Sequence, residues 1–204
     1  MVARMIPTQQ PASDDRGEPA RWADGNKDGI GTAIAETSRV WFSTSGGILT
    51  EAFYPAPDQA CIRLLELVVT DGKDFLSEEV LDTQHAAGVP HAVAPLCSLL
   101  NSCKLGRYQL EKEIIADPLS DVILQRVRFT ALQDGAYRLF CVLEPHLGNR
   151  GDDNTALVGA HKGVPMLFAF RDDGLALALA CSAPILAATA GFVGADGRVG
   201  LRAT

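Results

Sequence analysis

The stretch "KDGIGTAIAETSRVWFSTSGGILTEAFYP", residues 27–55, decides how the rest of this chain is read. Two apolar runs, "RVWFST" (39–44) and "ILTEAFY" (48–54), flank the pair Gly46-Gly47. Glycine tolerates the positive φ that a tight connection needs, so the two runs form a hairpin. The upstream Gly29-Ile30-Gly31 is not a dinucleotide loop, because no strand precedes it, no third glycine follows in register and no βαβ unit surrounds it. It also lacks the Lys-Ser/Thr ending of a phosphate-cradling loop, and is expected to let the chain turn into its first strand. Glu51 stands in mid-strand. As a catalytic acid it would need a second carboxylate across a scissile bond, and the sequence offers none. It is expected to lie on the solvent side, opposite a partner such as Arg39.

The same pattern recurs outward from this hairpin. Asp71-Gly72 separates "IRLLELVVT" (62–70) from "DFLSEEVL" (74–81), and Asp173-Gly174 separates "VPMLFAFR" (164–171) from "LALALACS" (175–182); both are hairpin turns. "RYQLEKEIIA" (107–116) passes through "DPLSD" into "VILQRVRFTAL" (122–132). There Val122, Leu124, Arg126 and Arg128 fall on one face and Ile123, Gln125, Val127 and Phe129 on the other. Asp134-Gly135 turns the chain into "AYRLFCVLEP" (136–145). Strands joined by tight turns pair antiparallel, since parallel neighbours need long crossovers, and none is visible. Two segments, 83–104 and 145–163, are expected to be long loops, the first because its prolines break any helix.

Composition narrows the function classes. The chain has 204 residues, 47% of them hydrophobic, and large β-sandwiches commonly reach this length as one unit. No apolar run approaches the roughly 20 residues of a membrane-spanning helix, so no membrane partner is expected. A net charge of -7 without a basic stripe excludes a nucleic-acid surface. Residues 1–20, rich in Pro, Gln, Ser and Asp, have no apolar centre of the kind a secretion signal requires, and are expected to form a flexible lead-in to a domain over 21–204, cytoplasmic by default.

Residue types that could carry chemistry have structural explanations. Cys97 and Cys103 are separated by five residues, which matches no common zinc spacing. Cys141 and Cys181, inside apolar runs, are expected to be buried thiols. Asp71, Asp82, Asp117 and Asp121 flank strand ends and are expected to shape turns. The acidic "GNRGDDN" lacks the alternation of a calcium loop. No Gly-x-Ser-x-Gly elbow occurs. Trp22, Trp41, Tyr54 and Tyr108 could stack on a sugar, although aromatics in β proteins more often fill the core. His85, His91, His146 and His161 all fall in the two expected loops. No catalytic, cofactor-binding or metal-binding residue is assigned.

Residues 17–33, "GEPARWADGNKDGIGTA", followed by "SRVWFSTSGGILTEAFYPAPDQACIRLLELVVTDG" (38–72), resemble the opening of the N-terminal domain of bacterial glucoamylases and glucodextranases, glycoside hydrolase family 15. Further matches lie in "GRYQLEKEIIADPLSDVILQRVRFTAL", in "YRLFCVLEPHLGNRGDDN" and in "CSAPILAATAGFVGADG", so the resemblance covers roughly residues 17–197. It implies an all-β, antiparallel supersandwich similar to galactose mutarotase, which in the family precedes a separate (α/α)6 barrel. That barrel carries both catalytic carboxylates of the inverting reaction. The chain has no long amphipathic helices from which to build it, so no catalytic position carries over and the chain is expected to be inactive alone.

The match weakens at its end. Ala195 stands where the family usually has a serine before the Asp-Gly, and "RVGLRAT" departs from its pattern, which leads us to expect a C-terminally truncated sandwich. The expectation is therefore a non-catalytic module that packs on a glucoamylase-type barrel. The alternatives are a stand-alone module that binds α-glucan or an oligosaccharide, and an aldose epimerase working through the four histidines.

Overall fold

The computed structural model describes residues 10–11, 22–88 and 95–192. By its internal contacts the chain divides into two compact units, Trp22–Glu144 and Met1–Arg21 with Pro145–Thr204. Nearly all regular structure is strand, and every strand pair with a recorded register is antiparallel.

In chain order the strands are β1 (Gln10–Pro11), β2 (Gly29–Thr32), β3 (Trp41–Ser45), β4 (Ile48–Phe53), β5 (Ala60–Thr70) and β6 (Leu76–Glu78). A single helical turn, α1 (Glu79–Asp82), comes next. After it come β7 (Thr83–Gly88), β8 (Cys97–Cys103), β9 (Tyr108–Ala116), β10 (Ile123–Ala131), β11 (Arg138–Pro145), β12 (Thr155–His161), β13 (Val164–Phe170) and β14 (Ala176–Leu179).

The Trp22–Glu144 unit is a two-layer sandwich. One sheet has the order β10-β9-β8-β7; the other has the order β11-β5-β4-β3-β2, with β6 beside β5. Alternation builds the core between them. On β9 the residues Tyr108, Leu110, Lys112, Ile114 and Ala116 are all buried, and the residues between them are less so. Its register partner β10 puts Ile123, Gln125, Val127 and Phe129 on the more buried face and Leu124, Arg126 and Arg128 outside, as the sequence pattern predicts. Leu67, Val69 and Phe75 of one layer meet Cys103, Tyr108 and Leu110 of the other. The Tyr108 and Phe129 rings stack at 5.6 Å between centroids. Each such side chain, fully buried, contributes about 1.5–3 kcal/mol.

The hairpin of residues 39–54 forms as expected, with Gly46 at φ 59° and Gly47 at φ 76°. A bulge between Ser43 and Thr44 leaves Thr50 as the extra residue, and its hydroxyl donates to the Ser43 carbonyl at 3.2 Å. Gly31 faces the Phe42 ring so closely that a Cβ there would collide with it. That contact accounts for glycine in the "GIG" motif.

In the second unit β1, β12, β13 and β14 form one sheet in that order. Gln10 pairs with Val158 and Pro11 with Leu157, so two residues of the expected lead-in are strand.

Several expectations are corrected. Residues 83–104 are not one long loop: β7 and β8 lie at its two ends, and residues 89–94, including His91, fall outside the described residues. β8 alternates Cys97, Leu99, Asn101 and Cys103 inward, and its two inward thiols and one amide hide the usual aliphatic signal. β7 is an edge strand exposed at five of six positions, so burial left no pattern on it. Residues 145–163 likewise contain β12. "DFLSEEVL" is strand only over β6 and then winds into α1. Cys141 and Cys181 are exposed rather than buried, since β11 borders its sheet and Cys181 lies beyond β14. Residues 193–204, where the match weakens, also fall outside the described residues.

Candidate functional site

The unit's strongest electrostatic feature is buried. The Lys112 ammonium contacts the Glu79 carboxylate at 2.5 Å, and neither side chain has any solvent exposure. Lys112 Nζ also donates to the Gly47 carbonyl at 2.6 Å. Asn101 Nδ2 donates to Glu79 Oε1 at 2.6 Å and to the same Gly47 carbonyl at 3.0 Å. The Leu67 amide donates to Glu79 Oε2 at 2.7 Å. Five charged or polar groups, the Glu79 carboxylate, the Leu67 N–H, the Asn101 amide, the Lys112 ammonium and the Gly47 carbonyl, thus join α1, β5, β8, β9 and the β3–β4 turn. Gly47 must be glycine: its φ is positive, and a Cβ would run into Asn101 Oδ1 and the His85 side chain.

Burial pushes the Glu79 carboxyl up and the Lys112 ammonium down, and in each case the partner's charge and the hydrogen bonds oppose the shift. A group sealed this completely cannot touch a substrate. The cluster is therefore a cross-link between layers, and its cost of desolvation is offset only because nearly every polar atom is matched. Asn101 Oδ1 is the exception, with no hydrogen-bond partner.

Other candidates sit apart. Glu51 does not face Arg39; it pairs with Lys27 at 2.7 Å and accepts from Ser43 Oγ at 3.0 Å. Arg39 instead pairs with Asp121 at 2.9 Å, donates to the Tyr54 hydroxyl at 2.7 Å and lies 5.0 Å from the centre of that ring. The Arg39 backbone N–H, then its guanidinium, hold the Asp121 carboxyl below the usual range. Asp71 is lowered chiefly by the Phe75 amide and then that of Lys73, the turn role expected of it. Asp117 accepts from Leu119 N, and Asp82 from Glu78 N.

Three of the four histidines lie among the described residues. His85 lies on β7 with Nε2 3.6 Å from Asp28, His146 is buried after β11, and His161 ends β12. Cys97 and Cys103 end the same strand, six residues apart, which is about 20 Å and too far for a bridge. Burial raises the Cys97 thiol, which keeps it protonated. Tyr108 is core, its hydroxyl 2.8 Å from Ser77 Oγ. Among the described residues no group of three or more His, Cys, Asp or Glu could hold a metal, and no helix is long and apolar enough to cross a membrane.

Sequence reasoning missed Glu79, Asn101 and Lys112. A signal for one existed: Lys112 interrupts the apolar alternation Tyr108-Leu110-Lys112-Ile114 at an inward position, where a lysine survives only if paired.

The fold and its sealed ionic cross-link define an antiparallel β-sandwich module. A family profile described as glucodextranase, domain N, matches residues 12–204. The chain belongs to that family. It is 35% identical over 159 residues to a glucoamylase from Clostridium sp. (strain G0005), covering 77% of this chain and 23% of that protein. A crystal structure of bacterial glucoamylase complexed with acarbose superposes with a TM-score of 0.76 at 30% identity, covering 81% of this chain and 26% of that one. The chain thus spans about a quarter of the length of the relatives it matches, and is homologous to the N-terminal sandwich of a glucoamylase.

Proposed function

We propose that this chain is the non-catalytic N-terminal module of a glucoamylase- or glucodextranase-type glycoside hydrolase, and that its work is to support a separate catalytic domain. The observation that carries the reading is the coverage. Nearly the whole chain matches the domain N family, while it accounts for only 23% and 26% of two full glucoamylases. The remaining length of such relatives has room for a catalytic domain of its own, and a rigid sandwich next to it would fix its orientation. The sealed Glu79–Lys112 pair supports this role, since it stiffens the sandwich without offering a reactive group.

The test has two arms. The purified chain, incubated with maltooligosaccharides or dextran, should release no glucose above the buffer control; sustained release would overturn the reading. Grafted in place of the matching N-terminal part of the Clostridium glucoamylase, it should preserve hydrolysis that deletion of that part diminishes.

A further inference from the structure

The last strand of a sheet keeps a row of hydrogen-bonding groups unused, because every second residue turns its N–H and C=O away from the one neighbour it has. β7 is such a strand, at the end of the order β10-β9-β8-β7. It pairs with β8 without a bulge, from Thr83 opposite Cys103 to Gly88 opposite Ser98. Residues 84–88 are all exposed. Among the described residues no hydrogen bond reaches their backbone from anything but β8.

Sheet edges that stay single are blunted by charge, proline, bulges or brevity. The other described edges show these devices. β10 projects the exposed Arg126 and Arg128, β11 runs from Arg138 to Pro145, β1 contains Pro11, and β2 and β14 have four residues each. Residues 84–88, Gln-His-Ala-Ala-Gly, contain no Lys, Arg, Asp, Glu or Pro, and Ala86, Ala87 and Gly88 carry a methyl group at most. Nothing on this strand turns a second strand away.

What an open edge takes is an extended strand, and its side chains choose which. A charged edge selects a partner of opposite charge. A neutral edge of small residues selects none, and its own copy meets it without any mismatch. The exposed residues are centred on Ala86. Laid antiparallel across a twofold axis through that residue, Gln84 stands opposite the partner's Gly88, His85 opposite the partner's Ala87, and Ala86 opposite its own copy. Two chains of net charge -7 repel in general, and this contact sets no charge against a like charge. The row leading away from the axis is neutral too. Ala86 neighbours Leu100, 38% exposed, and only beyond it come Glu111 and Arg128, paired with each other. A neutral centre with charge at the rim is the usual order of an interface.

We infer that residues 84–88 of β7 are a self-association edge, through which two copies of this chain join their β10-β9-β8-β7 sheets into one continuous antiparallel sheet. The inference does not rest on the module reading given above. So short a strand buries less surface than a stable interface does, so the dimer is weak and depends on concentration.

Sedimentation velocity of the full chain, from micromolar to near-millimolar concentration, should show monomer passing into dimer. Ala86→Lys and Ala86→Glu each put like charges face to face on the axis, and each should weaken association about tenfold or more. Mixed in equal amounts, the two variants should dimerise with each other at least as well as wild type does, since opposite charges then meet there. Leu124→Ser, at a 51%-exposed position on the opposite edge of the sheet, should leave association unchanged. Position 86 is exposed, so both charge variants should keep the wild-type urea midpoint. A monomer at every concentration would overturn the inference and leave the edge to a strand of another protein. So would growth beyond the dimer, a dimer that both charge variants retain, or a mixture of the two that stays monomeric. Should either variant lose cooperative unfolding, hydrogen exchange of the wild type decides. Amides of residues 84–88 should then exchange more slowly at the highest concentration than at the lowest, and those of Ile123–Ala131 equally at both; equal exchange over 84–88 would refute the inference.

Discussion

Replacing Lys112 with methionine tests the buried cross-link directly. Methionine fills much the same volume, so packing is nearly conserved and the electrostatic change stands out. The Glu79 carboxylate keeps two donors, Leu67 N at 2.7 Å and Asn101 Nδ2 at 2.6 Å, and loses its only counter-charge in this cluster. The Gly47 carbonyl keeps Asn101 Nδ2 at 3.0 Å. Little is left unpaired except charge. Removing one partner of a buried pair costs about 3–5 kcal/mol. With a urea slope of about 2 kcal/mol per molar, the midpoint should fall by roughly 1.5–2.5 M. Trp22 and Trp41 both lie in the Trp22–Glu144 unit, so tryptophan emission follows that unit alone.

The pH dependence gives the sharper discrimination. Burial already pushes Glu79 up, and without Lys112 nothing cationic opposes it. The folded variant then binds a proton that the unfolded chain, with an ordinary glutamate near 4.3, has released. Stability is therefore present below that ordinary value and lost as pH rises through the raised one. The deficit of Lys112→Met relative to wild type should be smaller at pH 5 than at pH 8. Glu79→Gln/Lys112→Met, which leaves no buried charge in the pair, should be more stable at pH 8 than Lys112→Met alone, a non-additive result expected of contacting groups. A cost below about 1 kcal/mol, or the same cost at both pH values, would refute the reasoning.

Three further outcomes follow from the geometry. Asp121 lies below the usual carboxylate range because of Arg39, so its contribution is present above about pH 3.9 and is lost as pH falls through the lowered value; the melting-temperature gap between wild type and Asp121→Asn should shrink between pH 5 and pH 2, and a constant gap would contradict this. Gly47→Ala should destabilise by about 2 kcal/mol or more, because left-handed backbone strain adds to collision with Asn101, while Gly46→Ala, with open space around it, should lose only about 1 kcal/mol, both measured by urea titration. Native protein should react rapidly with a thiol reagent at two cysteines, Cys141 and Cys181, and at all five in urea; five fast thiols in the native state would show that β8 does not bury Cys97 and Cys103.

Where the sequence disclosed structure, it did so through turns and strict alternation. Asp-Gly and Gly-Gly pairs carry their own backbone conformation, so the β3–β4 and β13–β14 hairpins were legible from a few residues. β10 was legible because its charges all face outward. β7 and β12 were not. β7, an exposed edge strand, pairs through backbone groups that any sequence possesses, so its composition is indistinguishable from a loop; β12 lies between β1 and β13 but inside a polar, glycine-rich segment whose composition hides it. Glu51 shows the limit for side chains: its strand and face were evident, yet its partner is Lys27, 24 positions upstream, rather than Arg39, which precedes β3. Local periodicity fixes which way a residue points and says nothing about what arrives from elsewhere.

The same limit explains why the cross-link was hidden. Glu79 belongs to a one-turn helix too short to have periodicity, Asn101 to a strand read as loop, and Lys112 to a strand read correctly. Only the last could have been suspected, because an inward lysine is anomalous by itself. Its anomaly also predicts its surroundings: a buried ammonium demands an anion and a carbonyl, and these must come from segments that are distant in sequence, since β9's own neighbours in register are Leu99 and Val127. A polar residue at a core position is thus a statement about tertiary structure written into a single strand. In this sandwich it specifies that α1 and the β3–β4 turn meet over β9.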